Sequence, residues 1–209
     1  MLDRPRICQY PAARVLVAVL FLLQAGAFAQ SQAPLVPSPA LLTNERHPLP
    51  GTVTGGVPAG DGSVPVYQAL ANSGVRTVID LRTEAEVPTE TALLAAAAGL
   101  DYRRLPVAGE AELDLASARA LDLLLDDWSR YPVALVCGSG NRAGALLAVR
   151  AFWLDGARPD AALDLGLRAG LTKLEPAVRL LLGLPPLPLP QPAAESAAAG
   201  SAAKPAAKP

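Results

Sequence analysis

Cysteine and histidine are close to absent from this chain of 209 residues. The two cysteines, Cys8 and Cys137, are too few for a disulfide framework, and no Cys-x-x-Cys pair is present to build a zinc module. The single histidine, His47, excludes any site that needs two imidazole ligands. Lysine occurs only at 173, 204 and 208, so most of the positive charge is arginine. Lys and Arg together number 18 against 19 Asp and Glu, a net charge of −1, without the basic surplus that nucleic-acid binding requires. What the chain does have is 51% apolar residues and 21 prolines, and its length suits one domain with tails.

The N-terminal segment reads as a processing signal. Arg4, Arg6 and Arg14 precede a continuous apolar run over 15–23, and Ala27-Phe28-Ala29 fits small-x-small cleavage. We expect a signal peptide over 1–29, cut after Ala29, with export to the periplasm. The alternative is an N-terminal membrane anchor, for which the apolar run falls short of the ~20 residues that span a bilayer. No cysteine stands at the cleavage point to be lipidated. Removal of the leader takes Cys8 with it and leaves 180 residues with a net charge of about −3. Cys137 is then alone in an oxidising compartment, either buried and inert or kept for its reactivity.

Residues 30–50 are rich in Pro, Ser and Gln and read as a linker. The stretch from 185 to 209, beginning Pro185-Pro186-Leu187-Pro188, reads as polyproline II followed by a disordered Ala/Ser/Lys/Pro tail, a spacer or a docking segment. Between them, 51–184 alternates strand and helix signals. Helices are predicted over 66–73, 89–98, 113–129, 142–154, 160–168 and 175–182, and strands over 75–81, 102–107 and 133–136. Repeated βα units imply a single compact α/β domain with a parallel-type central sheet flanked by helices.

The informative segment is Val133-Ala134-Leu135-Val136-Cys137-Gly138-Ser139-Gly140-Asn141-Arg142-Ala143-Gly144. A buried strand runs into a glycine-containing loop, and a helix begins where the loop ends. That places Cys137 at the carboxyl edge of the sheet, where open α/β folds bind ligands. The amides of Gly138, Ser139, Gly140 and Asn141, with the helix N-terminus, make an anion site whose positive field favours a thiolate. Arg142 closes the loop with a planar fork that clamps two oxygens of a phosphate. A thiolate in such a cradle suits phosphoryl transfer through a cysteinyl-phosphate, without metal or cofactor.

This Cys-x5-Arg loop resembles the signature of the cysteine-dependent tyrosine and dual-specificity phosphatases. The chain is similar in particular to compact bacterial phosphatase-like proteins related to the beta-lactamase-hydrolase-like group. The resemblance runs through Thr54-Gly55-Gly56-Val57-Pro58, 74–82, Tyr102-Arg103-Arg104-Leu105-Pro106-Val107 and Cys137 to Arg142. It implies a dual-specificity-phosphatase-like fold, Cys137 as nucleophile, Arg142 as phosphate clamp, and a phosphorylated protein or small phosphomonoester as substrate. Three positions depart from that pattern. Val136 stands where the family has histidine, and Ala143 where many members have Ser or Thr. A general acid is expected shortly after Val107, but Ala108 and Gly109 follow; of Glu110, Glu112 and Asp114, we choose Glu110.

Asp80 and Arg82 end a strand at the same sheet edge, where they either orient the loop or form a structural ion pair. Glu84 and Glu86 are expected in a solvated loop, His47 on the surface of the linker, and Trp128 and Trp153 in the core. Arg168 is read as a cation favouring a helix C-terminus. Two further functions stay open beside the phosphatase: a rhodanese-like sulfurtransferase holding a persulfide on Cys137, and a phosphate-binding module without turnover.

Overall fold

The computed structural model describes residues 40–57 and 63–188. The expected leader with Cys8, the linker up to 39 and the tail from 189 lie outside the described residues. No helix among the described residues is long and apolar enough to cross a membrane.

Two strands open the domain, β1 (Thr43–Leu49) and β2 (Thr52–Gly56), followed by helix α1 (Ser63–Asn72) and β3 (Thr77–Asp80). Next come α2 (Thr91–Ala97), β4 (Asp101–Arg104), α3 (Leu115–Leu125) and β5 (Val133–Cys137). Three helices close it: α4 (Asn141–Trp153), α5 (Pro159–Arg168) and α6 (Glu175–Leu181). The sheet order is β1-β2-β5-β3-β4. β5 lies between β2 and β3, parallel to both, and β4 is parallel to β3. β1 is antiparallel to β2, so the sheet is mixed where the βα pattern implied a parallel one.

The expected linker therefore ends earlier than position 50, because Thr43–Leu49 is an edge strand. Its polar, mostly exposed residues and Pro48 hide the strand pattern, and a sheet edge tolerates both. β2 is hidden for the opposite reason. All five of its residues are buried, yet two are glycine. A Cβ on Gly56 would come within 2.5 Å of the Gly138 carbonyl oxygen, so that position requires a residue without one.

Side chains alternate across the sheet and feed two cores. Ile79, Leu81, Val133, Leu135 and Cys137 pack with the apolar faces of α3 to α6. Val78, Ala134 and Val136 pack on the other face with Tyr67 and Leu70 of α1. The predicted helix over 113–129 stops at Leu125 because two caps compete for its ends. Asp114 accepts from the Ser117 N–H at the start, and Asp127 accepts from the Ser129 N–H to begin a separate turn at Trp128–Arg130. That turn leaves Trp128 82% exposed, stacked on Tyr131 with centroids 5.3 Å apart, rather than in the core. Trp153 is partly buried against the larger core, as expected.

α4 and α5 cross with their backbones nearly touching. A Cβ on Gly144 would lie 2.3 Å from the Leu171 nitrogen and 2.5 Å from the Gly166 carbonyl oxygen. Main chain cannot swing aside as a side-chain tip can. Gly144→Ala is expected to destabilise the domain by about 3 kcal/mol, the upper part of the range for overpacking. Urea unfolding measures it, and a loss under ~0.5 kcal/mol would show that the two helices separate freely.

Candidate active site

β5 delivers Cys137 to the carboxyl edge of the sheet, 1% exposed. Its carbonyl is tied down by the Val57 N–H at 3.0 Å, and the Val136 carbonyl by the Leu81 N–H at 2.8 Å. The chain then curls through Gly138 and Ser139 to Gly140, whose φ of +87° is left-handed and favours glycine. That turn aims the Gly140 N–H at the Cys137 sulfur, 3.1 Å away. Gly140 caps α4 without a side-chain acceptor, so the first amides of the helix face the loop. Ser139 is exposed, and its carbonyl accepts from Asn44 Nδ2 at 3.3 Å.

Arg142 leans back over this loop, and the structure supplies a partner that sequence reasoning missed. Glu86, expected to be solvated, forms a forked ion pair with it: Nη2 donates to Oε1 at 2.6 Å and Nη1 to Oε2 at 2.8 Å. Nη1 also donates to the Val107 carbonyl at 2.8 Å. Thr83 donates to the same Glu86 Oε2 from its N–H and its hydroxyl, each at 2.8 Å. The Arg142 hydrogen bonds hold the Glu86 carboxyl far below its ordinary 4.5, at about 2, with burial opposing and the Thr83 bonds reinforcing. Arg142 is correspondingly held protonated, first by its hydrogen bonds to Glu86, with burial opposing.

The consequence is geometric. Glu86 takes one edge of the guanidinium, and no acceptor among the described residues engages Nε. A Cβ on Gly138 would lie 3.5 Å from Nη2, so the glycine loop passes directly beside the fork. Nε of Arg142 is thus left without a partner among the described residues, beside a loop whose Gly140 N–H faces the Cys137 sulfur. Thr83-x-x-Glu86 is a capping-box pattern and could have been read as ordering this turn. Its pairing with Arg142 is long-range and has no local signal.

Asp80 and Arg82 form the structural pair. Both are buried, with Nη2 of Arg82 2.6 Å from Asp80 Oδ2. Tyr102 donates to the same carboxylate at 2.8 Å, and Arg82 donates to the Tyr67 hydroxyl at 3.0 Å. Burial by itself would lower Arg82, and the Asp80 bonds and charge outweigh it, so it stays firmly protonated. Burial pushes the Tyr102 phenol well up, with the Asp80 charge adding to it. The network stiffens the β3–β4 edge behind the 83–86 turn.

Glu110 is exposed in the short turn Glu110–Glu112, three residues beyond Val107. Among the described residues no hydrogen bond or ion pair joins it to Cys137 or Arg142. Glu112 is occupied, accepting from the Ala108 N–H at 2.5 Å, and Asp114 caps α3. Val136 and Ala143 are both fully buried in apolar packing. His47 is exposed beside Glu45, as expected, although on a strand. Arg168 closes α5 and also donates to the Pro48 carbonyl of β1 at 3.0 Å.

No protein-family model matches the sequence, and no curated protein does. Solved structures do match. A candidate phosphatase from Neisseria meningitidis Z2491 superposes with a TM-score of 0.54 at 17% identity, covering 65% of this chain and 96% of that one. A candidate phosphatase (DUF442) from Shewanella putrefaciens CN-32 gives 0.52 at 18%, covering 68% and 87%. The chain has the cysteine-phosphatase fold. Tk-PTP in its active form shares it, with a TM-score of 0.50, 17% identity, and coverage of 66% and 95%. Within this cysteine-phosphatase fold the expected dual-specificity-like architecture is as observed.

The ion pair carries a pH signature. A carboxyl lowered by folding adds stability that is complete above its unfolded value and lost as pH falls through its folded value. The difference in Tm between the native protein and Glu86→Gln is therefore expected to be largest above pH 4.5 and to close toward about pH 2. Thermal melts of both proteins across that range check it; a constant offset would show that Glu86 is not held by charge.

Proposed function

We propose that the protein is an exported cysteine-dependent phosphatase that hydrolyses a phosphomonoester of the tyrosine or dual-specificity type. The single observation that carries this reading is the loop from Cys137 to Arg142, in which the Gly140 N–H donates to the thiol sulfur and Arg142, paired with Glu86, stands beside the glycine turn. The fold likeness to phosphatases supports phosphoryl chemistry over sulfur transfer. Export rests on the leader pattern over 1–29.

In this mechanism the loop amides and Arg142 bind the phosphoryl oxygens and stabilise the charge that develops on them. The Cys137 sulfur attacks phosphorus as the P–O bond to the leaving group breaks. Glu110 donates a proton to the departing oxygen, being the carboxylate of its turn not already committed to a cap. Water then cleaves the S–P bond and releases inorganic phosphate. Glu86 touches no reacting atom; it holds Arg142 through both terminal nitrogens and leaves Nε free for the phosphoryl group.

Purified protein is expected to hydrolyse an aryl phosphate with inhibition by vanadate. Cys137→Ser should abolish turnover, and Arg142→Lys should lower it by about a hundredfold to a thousandfold. Undiminished activity in Cys137→Ser would overturn the mechanism, and a gain of one sulfur in mass on Cys137 would point to sulfur transfer instead. Tight phosphate binding without turnover would leave a binding module. Separately, Glu110→Gln is expected to slow turnover of an alkyl phosphate by about 10²–10⁴. An unchanged rate would remove Glu110 from the role of acid.

A further inference from the structure

The segment 170–174 joins α5 to α6 and is clasped against the start of α4. At one end, the buried Thr54 hydroxyl of β2 donates to the Ala169 carbonyl at 2.9 Å. Next to it Gly170, with φ of +100°, lies against Gly140; a Cβ on Gly170 would be 3.4 Å from the Gly140 carbonyl oxygen. At the other end, the Asn141 side-chain oxygen accepts from the Thr172 N–H at 2.8 Å, the Thr172 hydroxyl at 3.2 Å and the Leu174 N–H at 3.3 Å. Two backbone N–H donors on one atom identify it as the amide oxygen. The N-cap of α6 is Leu174, which offers no side-chain acceptor, and Asn141 supplies one from the neighbouring helix.

Gly140 itself has no side chain to lock its conformation. A glycine in a loop is the residue most free to leave a left-handed turn, and what surrounds Gly140 is backbone: Gly55 on one side and Gly170 on the other. We propose that Asn141 is a positioning residue for Cys137. Its amide holds the 170–174 segment against Gly140, and that contact fixes the Gly140 N–H that donates to the sulfur. Asn141 acts through another residue and touches no substrate with its side chain. Its catalytic consequence rests on the phosphatase reading, whereas the clasp itself stands whatever the loop binds.

Native-state hydrogen exchange on the full chain tests this, together with the alkylation rate of Cys137 by iodoacetamide at neutral pH. In Asn141→Ala the Gly140 amide is expected to exchange about tenfold faster, while the core amides of Ile79 and Leu135 keep their protection. Alkylation of Cys137 should slow several-fold. Equal acceleration at Gly140 and the core is what a merely structural role produces and would overturn the proposal, as would an unchanged rate at Gly140 or at the thiol. Thr54→Val frees the other end of the same segment and should speed Gly140 exchange in the same sense. If Asn141→Ala does not fold, an unaltered Gly140 in Thr54→Val overturns the proposal by itself. Native protein without aryl-phosphate turnover would refute the proposed function and leave the exchange result to stand or fall separately.

Discussion

Main chain, more than side chain, encloses the loop that carries Cys137. Gly56 lies beneath Gly138 with no room for a Cβ, Gly55 and Gly170 flank Gly140, and Gly144 lets the backbone around Leu171 and Gly166 close on α4. At Gly56 and Gly144 a single methyl group would clash with main chain, and at Gly140 and Gly170 the left-handed φ disfavours one. What these contacts enclose is the turn whose Gly140 N–H donates to the Cys137 sulfur. A loop built in this way is specified by backbone position, and backbone position is set by everything packed behind it.

Charge is then laid over that frame by very few groups. Among the described residues, Arg142 is the cation bonded beside the Cys137 loop, and Glu86 fixes which of its edges is presented. A guanidinium can serve an ion pair on one edge and an anion on the other because its donors lie in a plane; an ammonium cannot divide itself so. The Asp80–Arg82–Tyr102 network contributes rigidity one strand away, without facing the sulfur directly.

The local parts of this arrangement were legible in the residue order. The run from Val133 to Gly144 shows strand, loop and helix, and Cys137 and Arg142 stand out within it as the thiol and the cation on either side of that loop. The helices between glycines and prolines were readable to within a few residues. What escaped depended on partners distant in sequence. β1 carries an edge strand's polar residues, β2 carries glycines that make sense only once the Cys137 loop lies over them, and Glu86 resembles any solvated acid until Arg142 arrives. Trp128 misled because an apolar helical pattern continues past the point where Asp127 starts a different turn.

The register of β2 against β5 has a kinetic consequence. Gly56 pairs with Cys137, and Val133 bridges to both Thr52 and Thr77, so the strand bearing the thiol lies between partners made much earlier in the chain. Both pairings close long loops, and the entropy of doing so makes them slow relative to local turns. The Gly140 N–H and Arg142 lie close to the thiol in sequence, but the Gly55 and Gly170 backbone that encloses the turn and the Glu86 that holds Arg142 come from distant parts of the chain. The enclosure of Cys137 is therefore complete only when the sheet is, and the thiol's surroundings are a property of the whole domain and not of its own strand.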